Sequence, residues 1–278
     1  MNSLEFSLVV GAFGAAAGYL GALTGLGGGV VITPVLTLLF GVDIRYAIGA
    51  TLVSVIATSS GAASAFLKEG FSNIRIGMFL EIATTSGAIA GAFLATRTPT
   101  SALGIILGLV LLYSAFLTTR PKPEAHPDDP PDPLAQRLRL DSTYPTAHGW
   151  QPYRVRQVKT GFAMMFGAGA LSGLLGIGSG ALKVLAMDHA MRVPFKVSTS
   201  TSNFMIGVTA AASAGVYLNR GYIDPVLAMP VMLGVSAGSL FGARHLSGAR
   251  TRVLRIVFAV VVGVLAVEMI YHGLSGKI

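Results

Sequence analysis

Residues 21–36 read GALTGLGGGVVITPVL, with four glycines in the five positions 25–29 and then a short apolar run that holds a proline. A helix over 28–40 would be only about 20 Å long, too short to cross about 30 Å of hydrocarbon unaided. The stretches around it are longer. The chain has 278 residues, 53% hydrophobic and 12% charged, with a mean hydropathy of +0.68, which is too apolar for one soluble domain. Apolar stretches of about 20 residues fall near 5–24, 46–66, 75–96, 100–118, 158–175, 197–217, 223–243 and 253–272, with a second short one at 179–191. Their length and helical spacing predict transmembrane helices rather than the shorter alternating strands of a membrane barrel.

The first stretch reads as a helix and not as a cleaved signal, because Met1–Phe6 carries no basic residue and no small-residue cleavage pattern follows. The net charge of +8 fits basic loops facing anionic lipid better than nucleic acid. The absence of cysteine excludes disulfides, thiolate metal sites and cysteine nucleophiles. With no HExxH either, an intramembrane enzyme has no metal set, and no cofactor motif is seen.

Residues 119–157 break the pattern, carrying eight of the thirteen prolines, mixed charge and the one tryptophan. They read as a water-exposed, poorly ordered linker between an N-terminal unit (1–118) and a C-terminal unit (158–278). The two units repeat. Sliding the second back by 151 residues without a gap superposes seven glycine pairs, among them 18 on 169, 27 on 178 and 87 on 238. Chance predicts about two such pairs, so the excess indicates duplication. The same register aligns Thr58 with Thr209, Arg45 with Lys196 and Phe71 with Tyr222.

Whether the short segments cross decides the topology. If they do, each unit crosses five times, and an odd number inserts the two units upside down relative to each other. Basic residues then divide 15 to 4 between the two faces, against 11 to 8 if the short segments turn back. The positive-inside rule therefore favours about ten crossings, with both termini outside and the linker in the cytoplasm. The linker region decides this, since without its six basic residues and the adjoining Lys159 both schemes give 8 to 4.

A glycine-rich break before a short helix lies within the membrane profile, where irregular backbone survives only beside protein or a water-filled cavity. A helix starting there turns backbone N–H groups and a partial positive charge toward whatever fills the cavity, which suits an anion. GLLGIGSGALKVL, residues 173–185, repeats the device, and paired breaks in inverted halves point to a transport site. Tight helix packing through small residues is the plainer alternative. A dinucleotide or phosphate loop fits worse, since no strand precedes Gly25 and no GK[ST] follows.

These stretches also carry a resemblance. GALTGLGGGVVITPVL followed by AIGATLVSVIATSSGAASAF, and GLLGIGSGALKVL followed by STSTSNFMIGVTAAASA, resemble the two signature regions of the sulfite exporter TauE/SafE family. The resemblance extends over both halves and leaves out the linker. It implies an integral membrane permease that moves sulfite, organosulfonates or related small sulfur-containing anions across the bacterial cytoplasmic membrane. The chain departs from the pattern in its long linker, in Ser179 at a glycine position, and in a lysine soon after it.

Lys183 stands inside the second short segment, where the first has Ile32. A charge there attracts an anion, unless it snorkels to the interface or pairs with Asp188. The run Ser198–Asn203 opens the next long helix, and its register partner is Ala47–Leu52. Thr51, Ser202 and Asn203 are candidate donors to sulfonate oxygens, with bonding to the preceding helical turn as the alternative. The expected anion site thus comprises Gly25, Gly27, Gly28, Gly29 and Thr51 from the first half. From the second come Gly176, Gly178, Ser179, Gly180, Lys183, Ser202 and Asn203. Thr58 and Thr209 either line the same cavity or join helices. Glu81 is either a proton-coupling carboxylate or a bonded bundle neighbour. Glu268 suits an interface, Asn73 and Asp224 suit helix caps, and His189 and His245 show no metal spacing.

The expectation is an all-α integral membrane transporter of about ten segments in two inverted five-segment repeats, with broken short helices at the glycine motifs. Its partners are a small anionic substrate and lipid, with coupling to protons or ions and pairing into a homodimer left open. An anion channel or an uptake permease for another small organic anion is the rival function.

Overall fold

The computed structural model describes residues 3–24, 28–68, 71–119, 132–146, 149–178, 180–245 and 251–278. Every expected long segment is a helix: α1 (Ser3–Thr24), α3 (Ile44–Lys68), α4 (Ile74–Arg97), α5 (Thr100–Thr119), α7 (Val158–Leu175), α9 (Phe195–Asn219), α10 (Pro225–His245) and α11 (Thr251–Leu274). The short segments are α2 (Gly29–Phe40) and α8 (Gly180–Leu185), and α8 runs into a π-helical turn, Ala186–Ala190. Among the described residues, α4 and α7 are long and apolar enough by themselves to cross a membrane, and six shorter apolar helical stretches accompany them. Large apolar side chains face outward on α5 (Leu109, Leu112, Phe116) and on α11 (Val260, Val264, Val267). Their three- and four-residue spacing makes a continuous greasy outer stripe, which a lipid surround would cover.

Glycine ends the first short segment and the long helix before the second. Gly41 closes α2 in the left-handed region at φ 64°, its N–H reaching back to Leu36. Gly176 closes α7 at φ 69° with its N–H on Ser172, and Gly178 follows at φ 72°. A side chain would be strained at both of these positions, so the second break needs glycine for its backbone path.

The halves embrace by exchange. α1 packs along α10, and the register equivalents α7 and α4 pack along each other. The contacts coincide residue by residue: Gly18 lies against the Val235 backbone as Gly169 lies against Thr84, and Gly238 against Ala15 as Gly87 against Phe166. Each pair is the other displaced by 151, so the duplication seen in sequence is a two-fold-like exchange in space. At these places a Cβ would run into a neighbouring carbonyl, so glycine is what lets the backbones close up.

Helix directions follow from the same contacts. Along α1, residues 11, 14 and 18 meet 230, 231 and 235 of α10, so the two run parallel; Gly87 and Gly91 meet 166 and 170, so α4 and α7 also run parallel. In contrast, Gly104 meets Met269, Gly108 meets Ala266, and Gly273 meets Ser101. The equivalent helices α5 and α11 therefore run antiparallel.

The segment between the halves corrects the expectation of disorder and adds a little β structure to an otherwise helical chain. Residues 120–131 lie outside the described part, but α6 (Pro133–Arg137) and a hairpin of β1 (Ser142–Thr146) with β2 (Gly149–Tyr153) follow. Asp132 caps α6 ahead of a proline at its first position, a start signal that the proline-rich composition obscures. Ala135, Leu140, Tyr153 and Val155 are buried in a cluster with Ile76 and Leu80 of α4, Met187 and Met191 at the π turn, and Val197 of α9. Burial of these apolar side chains supplies the ordering that charge and proline content alone would not suggest.

Asn73 ties the junction together. Its carboxamide oxygen caps α4 by accepting from Ile76 N–H, and its amide nitrogen donates to Leu140 O at 3.0 Å and to the Tyr153 hydroxyl at 2.7 Å. The capping role expected of it is present. At the matching position Asp224 accepts from Val226 N–H at the start of α10.

Candidate functional site

The two glycine breaks meet inside the bundle. Gly29 faces Thr51 and Val55 of α3, and a Cβ on it would stand 3.6 Å from the Gly176 carbonyl oxygen. Gly178 faces the same Val55 and Ile206 of α9. Gly28 lies beside Gly18 and Val235, which joins the first break to the α1–α10 pair. Gly25, Gly27 and Ser179 lie outside the described residues.

The hydroxyls expected to bind an anion are engaged. Thr51 is fully buried, donates to Ala47 O and accepts from Thr33 of α2 at 2.9 Å. Ser202 donates to the Gly180 carbonyl at 3.3 Å. These equivalent positions both fasten a short helix to the following long one. Asn203 gives its amide to Thr199 O one turn back, as in the back-bonding alternative.

Lys183 is wholly buried, so it does not snorkel. Its ammonium donates to the Thr209 hydroxyl at 2.6 Å, and that hydroxyl contacts Glu81 Oε1 at 2.7 Å and Met205 O at 2.9 Å. Thr85 donates to the same Glu81 oxygen at 3.0 Å. Glu81 is itself buried, and its other oxygen, Oε2, is buried with no partner. An ammonium and a carboxylate are thus held one hydroxyl apart where α4, α8 and α9 meet. The charges make this burial tolerable, since each offsets part of the desolvation cost of the other.

The equivalent place in the other half has Ile32, Thr58 and Met232, and among the described residues Thr58 bonds its own helix, at Ser54 O and Val55 O. The duplicated frame therefore carries its charges in one of two matching places. Sequence reasoning singled out Lys183, Glu81 and Thr209 separately. It did not join them, because no spacing within the chain predicts which helices touch.

The remaining polar candidates stand apart. Glu268 and His272 pair at 3.6 Å one turn apart on exposed α11. No group of three potential metal ligands occurs among the described residues. A hollow of about 420 Å³ is lined by Asp132, Pro133, Arg156, Gln157 and Lys159, at the linker and away from the breaks. Lys183 and Thr209 are sealed from solvent, so the conformation is occluded at their site.

The family model for the sulfite exporter TauE/SafE family matches residues 10–269. A probable membrane transporter of Bacillus subtilis, YunE, is 26% identical over 283 residues, covering 98% of this chain and 99% of that one. A second from the same organism, YdhB, is 27% identical over 85% of this chain and 87% of its own. One from Methanocaldococcus jannaschii is 25% identical over 91% of each. No solved structure matches the chain. These relatives carry the names of membrane transporters and not of enzymes, and the bundle is helical with an apolar outer surface. By the extent of the family match, the chain belongs to the sulfite exporter TauE/SafE family.

Proposed function

We propose that this protein is a secondary transporter that exports sulfite, organosulfonates or related small sulfur-containing anions across the cytoplasmic membrane. The observation that carries the reading is Lys183, an ammonium with no solvent contact, in the short helix that follows the second of two meeting breaks. A charge buried at such depth is costly and is retained for function. The substrate would sit between the breaks, against Gly29, Gly176, Gly178 and Gly180, with Lys183 as counter-charge. Thr51, Ser202 and Asn203 would exchange their present bonds for substrate oxygens. Gly25, Gly27, Gly28 and Ser179 would complete the lining.

Helix directions support ten crossings. If α2 and α8 turned back, α5 and α11 would cross the same way, whereas they pack antiparallel. Antiparallel equivalents also support a symmetry axis lying across the helices, hence inverted halves. The termini would then face the periplasm and residues 119–157 the cytoplasm. Alternating access would follow from rocking about the site.

The test is flux of labelled sulfite and sulfonates in vesicles holding the purified protein. Wild type should show saturable, countertransport-stimulated flux, Lys183→Ala should lose it, and Asn203→Ala should raise the half-saturating concentration. Unsaturable flux would favour a channel, and no flux of any small anion would overturn the reading.

A further inference from the structure

A buried carboxylate with one satisfied and one bare oxygen is poised to take a proton. Glu81 Oε1 holds contacts to Thr85 and Thr209, while Oε2 has none. As an anion, that oxygen is desolvated without compensation; as a carboxylic acid, it bears the proton and the group loses its charge. Thr209 can follow the change. With Lys183 donating into its oxygen, the single hydroxyl proton goes either to Glu81 Oε1 or to the Met205 carbonyl.

Several other ionisable groups on the elements packed around Glu81 have partners elsewhere. Lys159 at the start of α7 lines the linker hollow, Lys196 on α9 lies over the Phe71 ring, and Tyr153 of the hairpin bonds Asn73. Asp188 and His189 belong to the π turn, His189 on its exposed side. Lys183 is the cation whose charge reaches Glu81, through Thr209. A metal ion is a poor alternative, because one carboxylate and two hydroxyls offer few oxygens and an ammonium stands beside them.

We propose that Glu81, with Thr209 and Lys183, is a proton-binding site that couples proton movement to anion movement. This rests on the transport reading above. With Glu81 ionised the pair is neutral, and an anion meets no net charge. With Glu81 protonated Lys183 is unpaired, and an anion restores neutrality. Both bound or neither bound avoids an uncompensated buried charge. In export the proton is taken from cytoplasmic water together with the anion, forms an O–H bond at Oε2, and returns to water outside, the outward anion gradient driving both. No other bond forms or breaks. The matching place in the other half holds Ile32 and Met232, so one proton accompanies each anion.

The probe is isethionate, a sulfonate with one fixed charge and no group that titrates near neutrality. In vesicles a gradient of one pH unit should drive about tenfold accumulation by wild type. Glu81→Gln keeps the side-chain shape and should still exchange isethionate for isethionate, but the tenfold ratio should collapse to one. Lys183→Met should lose both activities. Undiminished pH-driven accumulation by Glu81→Gln, or wild-type flux without accompanying protons, would overturn the proposal. If wild type moves neither isethionate nor sulfite, the transport reading has failed, and infrared spectroscopy decides the proton site on its own. A protonated-carboxyl band should titrate in wild type, vanish in Glu81→Gln and change its pH dependence in Lys183→Met. A spectrum that is the same in wild type and Glu81→Gln sinks it.

Discussion

The guanidinium of Arg45 lies over the ring of Tyr222, 5.8 Å from its centre. The register equivalents repeat the arrangement with the halves exchanged, Lys196 standing 5.6 Å over the ring of Phe71. Two residues that align in sequence thus each stack on the partner of the other. Only an intertwined duplication does this, since two side-by-side domains would keep such pairs within themselves. Arg45 also donates to the Thr98 carbonyl at 2.8 Å, which fixes the guanidinium at the end of α4.

The antiparallel run of α5 and α11 can be read chemically, because the chain has no cysteine of its own. Gly104→Cys combined with Met269→Cys should form a disulfide on mild oxidation, seen as a faster band on a non-reducing gel. Gly104→Cys with Ala259→Cys should not, since parallel helices would be needed to bring those ends together. Cross-linking of the second pair alone would contradict the inverted arrangement.

Close packing of α4 on α7 depends on the missing side chains. A Cβ at Gly91 would collide with the Ala170 backbone, whereas Gly167 on α7 faces open space. Gly91→Leu is expected to cost about 3 kcal/mol by forcing the helices apart. Gly167→Leu should change stability by less than about 0.5 kcal/mol. Thermal unfolding in detergent compares them, and equal melting would show that this contact does not hold the halves.

Acid should loosen the linker. Burial, the largest single influence, raises the Asp132 carboxyl, but N–H groups of Val158, Leu134 and Ala135, with Lys159 nearby, together outweigh it and hold the group below its usual 3.8. A carboxyl depressed in the folded state adds stability above its unfolded value, and this is lost as pH falls through the folded one. The fluorescence of Trp150, on β2, should therefore change as pH drops below about 3.8. Asp132→Ala should lose about 1 kcal/mol of helix capping at neutral pH and respond less to acid. An acid response unchanged by the substitution would place the effect on another carboxylate.

Some misreadings have a local cause. The proline-rich stretch looked unstructured because composition weighs every residue alike, while Asp132 as a cap and four apolar anchors act at particular positions. The bond of Ser202 to Gly180 O was not legible because that carbonyl lies on another helix, whereas Thr51 donates to Ala47 O one turn back, the alternative that the sequence also offered.

By itself the sequence determined the helices, the two breaks and the duplication, since hydropathy, glycine placement and a gapless register are properties of the chain taken in order. It also marked Lys183 as an oddity, because its counterpart is Ile32. Only the tertiary structure decided that α4 brings Glu81 to Thr209 and Lys183, that α5 opposes α11, and that the linker docks on Asn73. Those relationships depend on which surfaces fit together across segments far apart in the chain. Side-chain shape, backbone approach and the cost of burying charge settle that fit collectively, and no single stretch encodes it.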